Sequence, residues 1–243
     1  MTAPLSHITA LILAGGRGER LRSIVKDRPK PMAQVAGKPF LEILIRYLRD
    51  FHVRDIVLCT GYMGNVIKGY FKDGSKWDLH IRYSQEEKPL GTAGAVKHAE
   101  SLIQSEPFLV LNGDSFLDAD LESFLDFHMR SQAVISILLA QVGQQDDRFG
   151  AVVTNVQGRI LSFNEKVPVQ SGLVSAGIYL MNRSVLACIP SGQAVSLEHQ
   201  VFPSFVNKGL YGMFCSGLFV DIGTPESYDK AQKLILERRK AKA

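Results

Sequence analysis

Residues Leu11–Met32 read LILAGGRGERLRSIVKDRPKPM. An apolar run leads straight into Gly15, Gly16 and Gly18. Six cations lie among and after them: Arg17, Arg20, Arg22, Lys26, Arg28 and Lys30. A buried strand that exits through glycines puts its turn at the carboxyl edge of an α/β sheet, where ligands bind. Glycine lets backbone N–H groups approach a phosphate, and cations neutralise it. Two familiar phosphate-binding patterns fail here. Gly16-Arg17-Gly18-Glu19-Arg20-Leu21 lacks the third glycine of a dinucleotide fingerprint, and Gly37-Lys38 is followed by Pro39 rather than Ser or Thr. A surface loop with solvated arginines is the competing reading of the glycines alone.

Outward from this stretch, short apolar runs alternate with helical patterns. Ile8–Leu13, Asp55–Thr60, His80–Ser84 and Phe108–Asn112 read as strands. Leu41, Leu44, Ile45 and Leu48 recur at helical spacing, as do Val66, Ile67 and Tyr70, and a third helix fits Ala93–Ile103. This alternation predicts an α/β fold with a doubly wound, mainly parallel (Rossmann-like) sheet. Asp120–Arg130 reads as a further helix, leading into a strand at Ala133–Gln141. Gly150–Thr154, Arg159–Glu165 and Val174–Met181 are closely spaced strand-like runs, with a turn at Asn155–Gly158; they predict a mixed or antiparallel insertion on the sheet edge. Ser196–Asn207 reads as a helix, Leu218–Ile222 as a last strand and Pro225–Arg239 as a last helix capped by Thr224. No linker interrupts the 243 residues, and one domain is expected over 1–243.

The bulk composition removes several classes of function. The formal charge of +4 equals that of Arg238, Arg239, Lys240 and Lys242, and no stretch interleaves basic and aromatic residues, so nucleic-acid binding is not expected. Cys59, Cys188 and Cys215 are far apart without CxxC spacing, as in reduced core thiols of a cytoplasmic protein. No apolar run is long enough to span a membrane, and no export signal is expected. The six histidines form no HxxxH or HExxH pattern, and there is no GxSxG elbow to suggest a covalent nucleophile.

Two carboxylates stand out. Asp114 follows an apolar strand and a glycine in FLVLNGDSF, Phe108–Phe116; this is a common metal position and a common turn position. Asp221 lies inside the apolar run of GLFVDIGTPESY, Gly217–Tyr228. A buried aspartate costs several kcal/mol unless it is paired, bonded by backbone donors or metal-bound.

The longer pattern is more specific. Gly15-Gly16-x-Gly18-x-Arg20-Leu21, with Pro29-Lys30-Pro31 beginning eight positions after Leu21, resembles the signature of the sugar-1-phosphate nucleotidyltransferases, also called nucleotide-sugar pyrophosphorylases. The likeness runs through roughly Tyr228. Members join a nucleoside triphosphate to a sugar 1-phosphate and release pyrophosphate, so the resemblance implies a nucleotide-binding half at about 1–130 and a sugar-phosphate-binding half at about 131–243. Both reactants are anions, and catalysis of such a step is positioning plus positive charge. By resemblance, Arg20 contacts the triphosphate, Lys30 lies near the reacting phosphates, and Asp114 and Asp221 share one Mg²⁺. Leu13, Ala14, Gly15 and Gly16 would bind the nucleotide, with Gly91 and Thr92 of Pro89-Leu90-Gly91-Thr92-Ala93-Gly94. Thr92 could cap the following helix, and Gln85 is the candidate for reading the base edge. Phe149-Gly150, Phe163-Asn164-Glu165-Lys166 and Val174-Ser175-Ala176-Gly177 match three sugar-side segments. Glu165 would accept hydrogen bonds from sugar hydroxyls, Lys166 would bind the sugar's phosphate, and Gly150 and Gly177 would leave room for the ring. An adjacent Glu-Lys pair is otherwise most often solvated.

Among short members the chain is most similar to the D-glycero-D-manno-heptose 1-phosphate guanylyltransferases. The likeness rests on Arg20-Leu21-Arg22-Ser23, Asp147-Arg148-Phe149-Gly150, Ser175–Leu180, Ser196-Leu197-Glu198 and Phe219–Glu226. Close relatives use mannose, glucose or N-acetylmuramic acid 1-phosphate with GTP, UTP or dTTP. Such products are precursors of lipopolysaccharide, capsule or S-layer glycans. Ala176, where relatives often carry glycine, would alter the sugar pocket. The chain shows no hexapeptide β-helix repeat, so no attached acyltransferase is expected. A homodimer is compatible with the family. A non-catalytic sugar-nucleotide-binding relative is the alternative of another class; the charged set Arg20, Lys30, Asp114, Lys166 and Asp221 argues against it.

Overall fold

A computed structural model of the chain describes residues 4–142, 151–164 and 172–241. In chain order the strands and helices are β1 (Thr9–Ala14), β2 (Gln34–Val35), β3 (Lys38–Pro39), α1 (Phe40–Asp50), β4 (Asp55–Thr60), α2 (Gly64–Phe71), β5 (His80–Gln85), α3 (Gly91–His98), β6 (Phe108–Asn112), β7 (Ser115–Leu117), α4 (Leu121–Arg130), β8 (Ile135–Gln141), β9 (Ala151–Thr154), β10 (Ile160–Asn164), β11 (Leu173–Met181), α5 (Phe202–Phe205), β12 (Leu210–Phe214), β13 (Phe219–Asp221) and α6 (Pro225–Ala241).

Strands β6, β1, β4 and β5 pair parallel in that order. Alternation along each strand decides why. In β1, Ala10 and Ile12 pack on one face with Phe40, Leu44 and Leu48 of α1, while Leu11 packs on the other with Ala93 and Val96 of α3. A strand buried on both faces needs helices on both, which parallel crossovers supply. The chain runs β1–α1–β4–α2–β5 outward, then returns through α3 to place β6 on the opposite side of β1. The strand order therefore reverses between β1 and β6, and the crevice at their carboxyl ends is the natural ligand site of such a sheet.

The second half is built more deeply into this sheet than an edge insertion. Strand β11 pairs antiparallel with β6 through Ile178–Met181, with β8 on its other side, and β8 in turn carries β12. At Val174 β11 meets β9, which pairs antiparallel with β10. The pairing of β11 with β8 slips between Ser175 and Tyr179, and Gly177 sits in that slip with φ +77°. A side chain there would collide with Ser115 and Asn112. Gly177 is thus required by the bend of its own strand and by these two neighbours. Ala176 is fully buried in the core, and its carbonyl accepts the Ser115 hydroxyl at 3.0 Å.

Several boundaries differ from the sequence expectation for local reasons. The expected helix at Ser196–Asn207 is a π turn, Leu197–Val201, followed by the four residues of α5. Pro203 has no N–H to continue a ladder. Helix α3 ends at His98, and a 3₁₀ turn, Glu100–Leu102, finishes the expected span. Thr224 caps α6 as expected, its Oγ1 accepting the Ser227 N–H at 3.2 Å. The short strands β7 and β12 give too little alternation to be read from sequence.

Candidate nucleotide site at the β1–β6 crevice

Cavity walls come from the ends of neighbouring strands. Leu13 and Ala14 end β1 and Gly15, Gly16, Arg17 and Gly18 follow it, Cys59 is next to last in β4, and Asn112 ends β6 with Gly113 and Asp114 following; Lys30 and Pro31 close one side, and Glu86, Pro89, Gly91, Thr92 and Ala95 the other. The space is about 370 Å³, the size of a small-molecule site. The Gly113 N–H donates to the Leu13 carbonyl at 2.9 Å, which locks the two strand exits together.

Lys30 and Asp114 meet here. The Lys30 ammonium lies 2.6 Å from Asp114 Oδ2, with side-chain exposures of 12% and 38%. The lysine is held from below by the 3₁₀ turn Lys30–Met32, whose Pro31 and Met32 are buried. Across the adjoining ribbon, β13 pairs antiparallel with β7, putting Asp221 opposite Ser115, and the Ile222 N–H donates to the Asp114 carbonyl at 2.9 Å. Asp114 and Asp221 therefore sit on neighbouring backbones, 107 positions apart in sequence. One Asp221 oxygen accepts the Gly223 N–H at 2.9 Å. Among the described residues no three His, Cys, Asp or Glu side chains gather into a metal cluster. Two hard carboxylates fit Mg²⁺ all the same, because that ion keeps several waters and takes substrate phosphate oxygens.

The expected residues divide into three groups. Leu13, Ala14, Gly15, Gly16, Lys30, Gly91, Thr92 and Asp114 line the cavity together. Two do not. Arg20 is exposed and absent from the walls, because the turn Glu19–Leu21 points Leu21 into the core and leaves Arg20 outside; Arg17 lines the cavity instead. Gln85 lines only an adjoining surface hollow, and its neighbour Glu86 enters the cavity. Successive side chains of an extended segment face opposite ways. Gly150, Glu165 and Lys166 lie outside the described residues.

Thr92 does not cap α3; it stands inside the first turn, which begins at Gly91. Its hydroxyl donates to Glu198 Oε2 at 2.7 Å and accepts the Leu197 N–H at 2.7 Å. The other Glu198 oxygen accepts the Tyr179 hydroxyl at 3.2 Å, and Asn112 Nδ2 donates to that hydroxyl at 3.3 Å. Burial, reinforced by the Glu198 carboxylate, holds the Tyr179 phenol well above its ordinary pKa, so it stays a neutral donor. Asn112 Oδ1 is buried with no hydrogen-bond partner among the described residues. Sequence reading missed Asn112; its signal was a polar residue at the carboxyl end of an apolar strand, just before Gly113-Asp114. Burial pushes the Cys59 thiol up to about 12, which disfavours its thiolate form.

Comparison with known proteins agrees with this geometry. The nucleotidyl transferase family model matches residues 9–238. The chain is 35% identical over 226 residues to D-glycero-alpha-D-manno-heptose 1-phosphate guanylyltransferase of Aneurinibacillus thermoaerophilus, covering 92% of this chain and 96% of that one. It is 37% identical over 227 residues to mannose-1-phosphate guanylyltransferase of Mycobacterium tuberculosis, covering 91% of this chain and 63% of that one. Its fold matches the crystal structure of HddC from Yersinia pseudotuberculosis complexed with GMP-PN, with a TM-score of 0.81 and 30% identity over 94% of this chain and 99% of that one. A mainly parallel sheet with its cavity at the β1–β6 crevice, a glycine-rich exit from β1 and a match across nearly all of the sequence place this chain in the nucleotidyl transferase family.

Proposed function

We propose that the chain is a sugar-1-phosphate guanylyltransferase that joins GTP to D-glycero-D-manno-heptose 1-phosphate. An oxygen of the sugar phosphate attacks the α-phosphorus in line. The new P–O bond forms as the bond to the bridging oxygen breaks, and pyrophosphate leaves with the electron pair. The observation that carries the reading is the meeting of the Gly15–Gly18 exit, Lys30 and Asp114 in one cavity. Backbone N–H groups of the exit would cradle the triphosphate, Arg17 and Lys30 would offset its charge, and Asp114 with Asp221 would hold Mg²⁺. When bound, the ion supplies positive charge to the phosphate oxygens as negative charge shifts toward the leaving group. Asn112 Oδ1 offers a buried acceptor to a substrate donor. Glu165, Lys166 and Gly150 keep their proposed sugar-side roles on the family pattern alone. The transfer would be direct, without a covalent enzyme intermediate. The protein would work in the cytoplasm, as a monomer or homodimer, and supply an activated sugar for glycan assembly.

Mannose 1-phosphate is the second reading, supported by the 37% identity to the mycobacterial enzyme. Pyrophosphate release with Mg²⁺ decides between them, measured for GTP, UTP, dTTP, CTP and ATP against heptose, mannose and glucose 1-phosphates. Turnover with GTP and the heptose, at least tenfold above mannose, is expected. Preference for mannose corrects the sugar, and absence of release with every pair overturns the transferase reading.

A further inference from the structure

One residue of the neighbouring strand's exit grips the glycine-rich exit of β1 at both ends. Tyr62 follows β4, which lies beside β1 in the sheet. Its backbone N–H donates to the Gly15 carbonyl at 3.1 Å. Its hydroxyl accepts a hydrogen bond from Arg22 Nη2 at 2.8 Å, and the guanidinium carbon lies 5.0 Å from the centre of the same ring. Gly15 and Arg22 open and close the segment GGRGERLR. Within it only Leu21 is buried, while Gly16, Arg17, Glu19 and Arg20 are exposed. The tie does not belong to the core, since Arg22 is exposed and Tyr62 half-buried.

Three glycines make this segment conformationally free, whereas a phosphate cradle binds best when its N–H groups are fixed before the ligand arrives. In a trans peptide the carbonyl and the next N–H point in opposite directions. Tying the Gly15 carbonyl to the β4 side therefore turns the Gly16 N–H toward the β6 side, where Gly113 and Asp114 line the cavity. At the other end Arg22 holds down the turn Glu19–Leu21. Arg17, which lines the cavity, is carried between the two ties. We propose that Tyr62 is a positioning residue for nucleotide binding: with Arg22 it clasps the Gly15–Arg22 segment in the shape that receives the triphosphate. This rests on the transferase reading above and adds a residue outside the cavity walls, since Tyr62 lines only the two hollows beside the cavity. Such a clasp acts on the fraction of molecules whose segment is ready to bind, and apparent affinity scales with that fraction.

The test uses Tyr62→Phe, which keeps the ring and the backbone N–H and removes only the hydroxyl, in wild-type and Arg22→Met backgrounds of the full chain. GTP binding with Mg²⁺ and no sugar phosphate is read by titration calorimetry. Amide exchange over Gly16–Arg22 is read by mass spectrometry without nucleotide. Tyr62→Phe should weaken GTP binding about fivefold and speed exchange of the segment by a similar factor, the worth of one exposed charge-assisted bond, with unliganded melting unchanged. In turnover assays the loss should fall on the KM for GTP, with kcat and the KM for the sugar phosphate unmoved. Arg22→Met alone should speed exchange equally, and in that background Tyr62→Phe should have no further effect, because its partner is already gone. Wild-type GTP affinity in Tyr62→Phe overturns the inference. An equal loss in both backgrounds overturns it as well, since Tyr62 would then act without Arg22. Weakened GTP binding with unchanged exchange would make the hydroxyl a ligand contact and end the clasp. Failure of wild type to bind GTP would instead sink the transferase reading, and the exchange rates alone would then decide the clasp.

Discussion

The parallel and antiparallel halves of the sheet supply the crevice in different ways. Strands β1, β4 and β6 all end at the same edge, so residues at and just beyond those ends enter one cavity. Strand β11 runs against β6 and reaches the site from its middle, where Gly177, Ser115 and Asn112 crowd together. In the first half function sits after the strands; in the second it sits within them and across from them. Direction of the chain decides where in the sequence a site residue can be found.

The largest expected effect tests whether both halves feed one metal site. Asp114→Asn and Asp221→Asn should each lower turnover by about 10²–10³-fold in steady-state assays, because the cation loses a charged ligand and the phosphates lose its field. A loss confined to Asp114→Asn would leave the second half without a share in the metal. Next, Gly177→Ala should destabilise the protein by about 1–3 kcal/mol in urea unfolding, from φ +77° and the collision with Ser115 and Asn112. Unchanged stability would mean that the bend of β11 does not depend on glycine. Thr92→Val strands the Leu197 N–H and leaves Glu198 Oε2 with the Ser196 hydroxyl alone, and should cost about 1–2 kcal/mol. A rise in the KM for GTP beyond that stability loss would separate a ligand contact from a structural tie.

The smallest effect is a pH slope in the antiparallel half. His128 is buried between Ser136 Oγ at 2.8 Å and Asn182 Oδ1 at 3.1 Å, and burial holds its pKa below the ordinary value of 6.5. The unfolded chain therefore takes up the proton more readily. Stability is full above about pH 6.5 and falls as the pH drops through that value. His128→Asn should flatten the decline in urea midpoint between pH 7.5 and 5.5, relative to wild type; an equal slope in both proteins would assign the acid loss to other groups.

What was legible in the sequence follows the same division. The Gly15–Gly18 exit, Lys30 and Asp114 were visible because each follows an apolar run by a fixed short step. Asp221 was visible as a charge inside such a run, and the ribbon that brings it beside Asp114 was not, since β7 and β13 are three residues each. Gln85 was chosen where Glu86 enters the cavity, because strand periodicity leaves a one-residue ambiguity at a strand end. That Arg17 rather than Arg20 lines the cavity depends on the course of a tight turn, which no periodicity encodes. Asn112 and the Thr92–Glu198–Tyr179 chain depend on partners up to 106 positions apart, which no local pattern encodes.

Helix α6 reaches back to the loop that follows Pro29-Lys30-Pro31. Tyr228 and Gln232 donate to the Gln34 carbonyl at 2.6 Å each, Gln232 accepts the Ala36 N–H at 2.7 Å, and Arg239 donates to the Ala36 carbonyl at 2.5 Å. Arg238 adds a two-pronged bond to Asp118 beside β7. A chain growing from its N-terminus makes the lysine loop early and its clasp almost two hundred residues later. The sheet can collapse first, but the lysine loop must wait for α6 to be made before its support is in place. A protein halted before Pro225 would carry the whole signature and lack the brace that holds it ready for substrate.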